Sequence, residues 1–311
     1  MRGLDAITLK QLRALYAVAR TGSITAAAES LRLTPPAVHS QIKGLEGIVE
    51  ATLLHRATDS AGSQLTAEGQ ALLRAAERIE AVLSQGLSQV RALSDGHAGR
   101  VTLGVVSTGK YFAPSLVKRL KESLPGIEIV LRVGNRTEVI ADLERGAVDM
   151  AIMGRPPRHP VVVAEPLGSH PHGIVAAPDH PLAGKPTVAA EALMSETFLA
   201  REDGSGTRIL MARYLDRIGE GQIVEMVEMG TNETIKQAVI AGLGIAFLSL
   251  HTVMDELRFG RLVQLNAPGL PILRQWFLVW PDDAPLGPAA ERVHQAIVAL
   301  RGGFLPGTSA S

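Results

Sequence analysis

The sequence predicts a chain of three parts: a group of short helices, one long helix, and an α/β domain of two lobes. Three observations lead to this prediction. Residues 1–66 carry closely spaced helix starts and stops, and residues 67–94 read as a single long helix. From residue 99 to about 305, strand-like and helix-like segments alternate, which is typical of sheets covered by helices.

Length and composition exclude several classes of protein. The 311 residues suit about two domains of roughly 100–200 residues. Lys and Arg total 31 and Asp and Glu total 31, so a uniformly basic coat for nucleic acid is excluded and any basic surface is local. The absence of cysteine excludes a disulfide scaffold, a cysteine-based metal site and a cysteine nucleophile. No secretory signal or membrane span is visible, so we expect a cytoplasmic protein without a membrane partner.

Residues 1–66 contain the signals of three helices. Thr8 and Gln11 form a capping-box pattern at the start of the first helix. Ser23 is placed to cap the second helix. Thr34 precedes Pro35, and proline is tolerated at the first helical position because its missing N–H would be unpaired there anyway.

The third helix has two different faces. At 100° per residue, the apolar face holds Val38, Ile42, Leu45 and Val49. The opposite face is polar and holds Pro36, His39, Ser40 and Lys43. Two helices joined by a tight turn, the second with such a face, predict a helix-turn-helix whose second helix enters the major groove of DNA. A generic small helical domain is the alternative. The polar segment 56–65 can form a β-wing.

Thr66 is placed to cap the long helix, which carries an apolar stripe. The stripe has heptad-like spacing, interrupted at Gly86, and consists of Leu72, Ala76, Ile79, Leu83, Val90 and Leu93. On a helix about 40 Å long, such a stripe needs a partner. Packing within its own chain is one possibility. We favour a second copy of the chain, because a protein that reads a two-fold DNA site binds as a dimer.

The α/β part predicts parallel sheets in two small doubly wound, Rossmann-like lobes. Lobe I takes about 99–167 and 268–305, and lobe II takes about 168–267. No dinucleotide or P-loop fingerprint is present, and no catalytic triad or carboxylate pair stands out, so we expect neither an enzyme nor a resident cofactor. Ligands of such sheets lie beyond the carboxyl ends of strands, at helix N-termini.

Helix starts that directly follow predicted strands supply the candidate ligand-binding residues. They combine hydroxyls, amides and cations suited to an anion, and they are Ser107, Thr108, Lys110, Asn135, Arg136, Arg155, Arg201, Thr207, Thr231 and Asn232. The backbone of the 204–207 loop offers further N–H donors. His170 and His172 lie in a predicted loop, where exposed positions are favoured over a metal site. Trp276 and Trp280 share one face of a strand, and we expect them in the core.

The N-terminal motifs resemble the winged helix-turn-helix of LysR-type transcriptional regulators. The matching segments are Ser23–Leu31, Thr34–Val38, Gln41–Lys43, Leu45–Glu46 and Leu65–Gly69. The resemblance covers nearly the whole chain. It implies a homodimer that assembles into a homotetramer, operator DNA and RNA polymerase as partners, and an effector domain similar to type 2 periplasmic-binding proteins. With the polar face of the third helix, it yields the candidate DNA contacts Ser23, Thr25, Thr34, Pro35, Pro36, His39, Ser40, Lys43 and Arg56.

Motifs in the α/β part narrow the resemblance to LysR-type activators of Calvin-cycle carbon-fixation operons. These motifs are Val105–Pro114, Val133–Arg136, Ala151–Pro157, Arg201–Arg208, Thr231–Ala238 and Gly242–Ser249. The narrower resemblance implies a cleft that senses a phosphorylated metabolite or NADPH. The sequence departs from the family pattern at Leu54, where phenylalanine is usual, and at His39-Ser40, where Ser-Arg or Thr-Leu is commoner.

Three alternatives remain at this point. A LysR-type regulator of another pathway, such as aromatic catabolism, would bind an anionic effector without phosphate. A bilobed solute-binding protein would share the effector fold, but it would need a secretory signal and no helix-turn-helix. An enzyme built on the α/β part would need a nucleophile or a dinucleotide signature, and the sequence has neither.

Overall fold

The computed structural model describes residues 4–55, 64–95 and 99–307, except for the side chains of 92–95. The chain divides into two compact units. The first contains the residues up to 87 together with 145–147, and the second contains 88–144 and the residues from 148 onward. Within the described residues, no helix is both long enough and apolar enough to cross a membrane.

The first unit is built from three short helices and the start of a long one. Their bounds are α1 (Leu9–Thr21), α2 (Ile24–Leu31), α3 (Pro35–Val49) and α4 (Ala67–Asp95). The predicted capping box is confirmed, because the Thr8 N–H donates to Gln11 Oε1 at 2.8 Å and Thr8 Oγ accepts the Gln11 N–H. Ser23 Oγ accepts the Ala26 N–H at 3.1 Å and caps α2. Thr34 occupies the cap position of α3 without a side-chain hydrogen bond.

The core of the first unit is formed by the apolar faces of α1, α2 and α3. Its buried members include Leu12, Leu15, Val18, Ala27, Ala28, Val38, Ile42 and Leu45. The small alanines on α2 let the neighbouring helices approach closely. The predicted apolar face of α3 is therefore confirmed at its first three positions, while Val49 at its end is half-buried.

The base of the predicted wing joins α3 to α4. Leu54 and Leu65 form an antiparallel bridge, and the Thr66 N–H donates to Leu53 O at 3.0 Å. Thr66 Oγ accepts the Gly69 N–H at 3.0 Å, which confirms the predicted cap. A Cβ at Gly69 would lie 2.2 Å from Leu53 O, so only glycine fits this crossing. The tip of the wing, with the candidate DNA contact Arg56, lies outside the described residues.

The apolar stripe of α4 becomes more exposed along the helix. Leu72 is half-buried and Ala76 is buried, whereas Ile79, Leu83 and Val90 are 40%, 38% and 61% exposed. The side chain of Leu93 lies outside the described residues. The dimer seam stays a prediction, and the exposed half of the stripe is the surface on which it would form.

The second unit contains nine strands and seven α-helices among the described residues. The strands are β1 (Gly99–Val106), β2 (Ile127–Gly134), β3 (Met150–Met153), β4 (Val162–Ala176), β5 (Phe198–Arg201), β6 (Met226–Met229), β7 (Ala246–Ser249), β8 (Val263–Leu265) and β9 (Ile272–Pro281). The helices are α5 (Ala113–Ser123), α6 (Arg136–Glu144), α7 (Ala190–Met194), α8 (Gly206–Gly219), α9 (Asn232–Ile240), α10 (Met254–Arg258) and α11 (Pro288–Ala299). Short 3₁₀ helices cover Ser107–Tyr111 and Leu250–Thr252.

The sheet is mixed rather than wholly parallel, which corrects the prediction of parallel sheets. Strands β2, β1 and β3 are parallel, and so are β5 and β6. Strand β9 runs antiparallel to β3 and β4, and β4 runs antiparallel to β7 and β8. Pro166, Gly168 and Pro171 interrupt the alternation of β4, so the sequence does not indicate the full length of this strand. The register shifts between Pro166 and Gly168, where the strand is irregular.

Strands β4 and β9 connect the hydrophobic clusters that form the two lobes. One cluster gathers β1–β3, α5, α6 and α11 around residues such as Leu103, Leu116 and Ile152. A second lies among β5, β7, α7 and α8 around Phe198, Tyr214 and Phe247. A third cluster, with Leu199, Ile235 and Leu248, joins α9 to β5 and β7. We call the first cluster the first lobe, and the other two together the second lobe.

Candidate functional site

Helices α2 and α3 and the turn between them present most of the predicted DNA contacts to solvent. The exposed ones are Thr25 on α2 and Thr34, Pro35, Pro36, His39, Ser40 and Lys43 on and before α3. Ser23 is half-buried because its hydroxyl caps α2. The exposed face of α3 therefore offers one hydroxyl, one imidazole and one ammonium group beyond its first turn, which are groups that bond to base edges and phosphates.

Glu46 lies beside this face, and its contacts were not predicted from the sequence. Its Oε2 accepts from Lys43 Nζ at 2.7 Å, and its Oε1 accepts the Leu53 N–H at 2.9 Å. Burial raises the pKa of Glu46, but the hydrogen bonds from Lys43 and from the backbone outweigh it, so the net shift is downward. The carboxylate thus links the recognition helix to the base of the wing and partly neutralises Lys43.

The second unit contains a cavity of about 310 Å³. Polar side chains and glycines line much of it, and the full lining is Val106, Ser107, Thr108, Arg136, Gly154, Arg155, Pro156, Arg158, His170, His172, Ser205, Gly206, Thr207, Ile209, Leu210, Arg213 and Arg274. Five of these residues are arginines, and the described lining contains no carboxylate. The cavity therefore suits a ligand with more than one negative charge.

The predicted strand ends place much of this lining. Ser107 and Thr108 follow β1, Arg136 begins α6 after β2, and Arg155 follows β3. Thr207 lies in the first turn of α8. These five candidate residues are brought together at one cavity. Sequence reasoning missed three more arginines, which are Arg158, Arg213 on α8 and Arg274 on β9.

Arg136 is a half-buried arginine of the cavity. Its guanidinium donates to Arg155 O and to Pro156 O, the latter at 3.4 Å. Burial lowers the pKa of Arg136, and repulsion from Arg155, Arg213 and Arg274 lowers it further. Within the described residues, no hydrogen bond or salt bridge engages the side chains of those three arginines. The cavity thus holds positive charge without a counter-charge, which a bound anion would supply.

The lining of the cavity includes two histidines that were expected on an exposed loop. That expectation was wrong, because β4 extends through them and leaves His170 and His172 only 3% and 4% exposed. The His170 ring stacks on Trp276 with ring centroids 3.8 Å apart. Burial lowers the pKa of His172 to about 4 and that of His170 well below its usual value.

Trp276 is fully buried, which confirms its predicted place in the core. Its Nε1–H donates to His251 Nδ1 at 3.1 Å, and burial lowers the pKa of His251 to about 4. Trp280 is half-buried and packs against the core of the first lobe. Despite the nearby histidines, the described residues contain no group of three or more His, Cys, Asp or Glu side chains suited to a metal ion.

Five other candidate residues lie outside the cavity lining. Arg201 bonds to Ser107 Oγ at 3.0 Å and to Asn232 Oδ1 at 2.7 Å, and Glu202 neutralises it. Asn135 and Thr231 accept backbone N–H groups at the starts of α6 and α9. Lys110 is paired with a carboxylate of the second lobe. Their contact with a ligand stays a prediction.

That carboxylate belongs to Glu233, which connects the two lobes. Its Oε2 lies 2.6 Å from Lys110 Nζ, and its Oε1 accepts from the Tyr111 hydroxyl at 2.5 Å. Burial raises the pKa of Glu233, but the two hydrogen bonds outweigh it and bring it down to about 2. The arrangement holds the first turn after β1 against the start of α9.

Comparison with known protein families agrees with this architecture. Residues 9–70 match the family described as bacterial regulatory helix-turn-helix protein, lysR family. Residues 94–301 match the LysR substrate binding domain. The chain therefore belongs to the LysR family of DNA-binding transcriptional regulators, and it is not an enzyme.

Among curated relatives, the chain is similar to the HTH-type transcriptional regulator CbbR of Cereibacter sphaeroides. The two are 64% identical over 307 residues, which cover 99% of each chain. The chain is also 38% identical to the RuBisCO operon transcriptional regulator of Allochromatium vinosum, over 94% of this chain and 96% of that one.

Solved structures give the same fold. The regulatory domain of Synechocystis PCC6803 CcmR in complex with 2-PG is 32% identical, with a TM-score of 0.61, and covers 68% of this chain and 99% of that one. Full-length CbnR in complex with its target DNA covers 94% of this chain and 99% of that one, with a TM-score of 0.70 at 20% identity. The second likeness supports the fold alone.

Proposed function

We propose that the chain regulates a carbon-fixation operon, binding operator DNA through α3 and a small anionic metabolite in the arginine-rich cavity. The extensive identity to CbbR and to a RuBisCO operon regulator supports the choice of operon. The cavity's five arginines, without a carboxylate among the described lining residues, are the observation that supports the anion.

The size of the cavity favours a small phosphorylated metabolite over NADPH. Ligand pockets in proteins span about 300–1,000 Å³, and a cavity of about 310 Å³ lies at the lower end. A sugar bisphosphate or a phosphorylated carboxylic acid carries two anionic groups within that space. The compound in the complex of the CcmR regulatory domain, 2-PG, is therefore a further probe.

The oligomer and the DNA contacts are part of the proposal. Two recognition helices on one operator need at least a dimer, and the exposed stripe at Ile79, Leu83 and Val90 supports a seam on α4. The family resemblance supports assembly of dimers into a tetramer. Contact with RNA polymerase belongs to the same proposal, because the resemblance implies activation of transcription.

Calorimetry on the full-length protein tests the ligand class. We expect ribulose bisphosphate, phosphoenolpyruvate or 2-PG to bind, with NADPH weaker because of its size. Benzoate and muconate serve as anions without phosphate. If benzoate or muconate binds and none of the phosphates does, the aromatic-catabolism alternative replaces the proposal.

Variants then assign the ligand to the cavity. Arg155→Gln and Arg274→Gln should each weaken the binding of the anionic ligand by roughly 10–100-fold, because charge-assisted hydrogen bonds contribute about 1.5–3 kcal/mol. Arg100→Gln is the matched control. Arg100 is an exposed arginine of the same unit, on β1, and it has a distant pair with Glu128. Equal losses in the control and the cavity variants would overturn the assignment to the cavity.

A further inference from the structure

One buried polar atom in the cavity wall has no hydrogen-bond partner. His170 is 3% exposed, and within the described part of the chain its Nδ1 atom makes no hydrogen bond. The atom lies beside Gly154, another lining residue, where a Cβ would come within 2.7 Å of it. A buried polar atom without a partner destabilises the protein, and a ligand that supplies the partner removes that cost.

The other contacts of His170 hold its ring in place. Its Nε2 lies 2.9 Å from Ser249 Oγ, and its face stacks on Trp276. Arg274 is its cross-strand neighbour in the β4–β9 register. The orientation of Nδ1 is therefore set by packing and by a hydrogen bond on the opposite side of the ring.

The imidazole is neutral at physiological pH, because burial and the nearby His172, His251 and Arg274 all lower its pKa. Two tautomers remain, since the Ser249 hydroxyl can donate to Nε2 or accept from it. Nδ1 therefore either carries a proton or presents a lone pair. An anionic oxygen satisfies only the first form, whereas a hydroxyl group satisfies both.

We infer that His170 Nδ1 is the specificity-determining contact for a hydroxyl group of the effector, whose charged groups the cavity arginines hold. The ligand class is a hydroxylated carbon chain with two anionic groups. The inference rests on the proposed function, because it requires that this cavity holds the effector. The arginines attract phosphates on many compounds, and His170 selects among those compounds by the hydroxyl between the charges.

A matched pair of probes tests the inference. Ribulose 1,5-bisphosphate and pentane-1,5-diyl bisphosphate carry two phosphates on five carbons, but only the first has oxygen atoms between them. On the full-length wild-type protein, calorimetry should give about tenfold weaker binding of the deoxygenated probe, because its complex leaves Nδ1 without a partner.

Two substitutions then separate the atoms of the ring. In His170→Asn, the side-chain amide lies near the position of Nδ1. In His170→Gln, the longer side chain brings the amide near the position of Nε2. We expect His170→Asn to retain most of the preference for ribulose bisphosphate. His170→Gln should bind both probes equally, at the affinity of wild type for the deoxygenated probe. If His170 acted only by holding Ser249, the pattern would be reversed: His170→Gln would retain the preference for ribulose bisphosphate and His170→Asn would lose it.

The outcomes separate this inference from the proposed function. If both bisphosphates bind wild type equally, and Arg155→Gln weakens both, the cavity binds the anion and the His170 inference is wrong. If neither probe binds and the other phosphorylated compounds do not bind either, both the proposed function and the inference are wrong. The wild-type comparison needs no variant, so equal binding of the two probes overturns the inference even if either substitution impairs folding.

Discussion

The recognition face of α3 and the cavity of the second unit use charge in opposite ways. On α3, Lys43 is the only cationic side chain proposed to contact DNA among the described residues, and Glu46 partly neutralises it. In the cavity, five arginines converge without a carboxylate in the described lining. The affinity of a protein for DNA grows with the number of phosphates that it neutralises. A single copy of the α3 face carries little charge, so we expect it to bind DNA weakly. We therefore expect DNA binding to require several copies of the chain, whereas one cavity would be enough to bind an anion.

The largest expected effect comes from breaking the assembly that the recognition face needs. Ile79→Asp combined with Leu83→Asp would bury two charges at a seam on α4, each costly unless paired. We expect sedimentation to show smaller species and operator binding to be lost. Ser84→Asp is the control, because it adds a charge one residue after Leu83, on another side of the helix. It should leave both the oligomer and operator binding unchanged. An unaltered oligomer in the double variant would mean that the stripe packs within its own chain.

The next largest effect is expected when one arginine of the cavity loses its charge. Arg274→Gln should weaken anion binding about tenfold or more, yet raise the stability of the ligand-free protein by about 0.5–1 kcal/mol, because repulsion among the arginines is relieved. Thermal melting with and without ribulose bisphosphate measures both effects. A melting temperature that falls without ligand would mean that the arginines are compensated within the protein.

A smaller effect is expected on the recognition face. If His39 or Ser40 reads base edges, its replacement by alanine relaxes preference at particular operator positions, by about 1–3 kcal/mol for each good contact. Lys43→Ala should instead weaken all sequences similarly and lower the salt dependence of binding by about one ion. Binding to a set of single-base operator variants distinguishes these effects. Unchanged binding after joint replacement of all three residues would remove α3 from the DNA interface.

The smallest effect concerns the link between the lobes. The pKa of Glu233 is lowered to about 2, so its contribution is fully present above the ordinary value near 4.3 and is lost as pH falls toward 2. The pair is partly exposed, so solvent screening keeps its contribution below about 1 kcal/mol. Glu233→Gln should lower the melting temperature at pH 6 but less at pH 3. Glu128→Gln, at an exposed distant pair, is the control, and a pH-independent difference would contradict the assignment.

The two regions also differ in how far sequence could predict them. The helix-turn-helix is local, so caps at Thr8 and Ser23 and the face of Val38 and Ile42 specify it within a few dozen residues. The cavity draws its lining from residues 106–274. The rule that ligands lie at strand ends found Ser107, Thr108, Arg136, Arg155 and Thr207. It also selected Lys110 and Arg201, which are neutralised by carboxylates.

The missed residues depend on pairing between distant strands. His170 and Arg274 are neighbours only because β4 and β9 pair, and the prolines of β4 concealed that strand. Arg213 lies within α8, where charge is ordinarily a sign of a solvated face. The alternation of His170 and His172 was the one available signal, since side chains two apart on a strand share a face. Glu46 belongs to a segment that resembles the family, but its link to the wing gave no signal, because its partners there are backbone groups seven and eight residues away.

One footprinting experiment tests most directly whether the α3 face binds a carbon-fixation operator and whether an anion in the arginine cavity changes how it binds. DNA upstream of a RuBisCO operon is titrated with wild type and with Arg155→Gln/Arg274→Gln, with and without ribulose bisphosphate. We expect equal protection by both proteins without ligand, and a ligand-induced change in the footprint of wild type alone. Equal responses to the ligand in both proteins, or no protection by wild type, would contradict this mechanism.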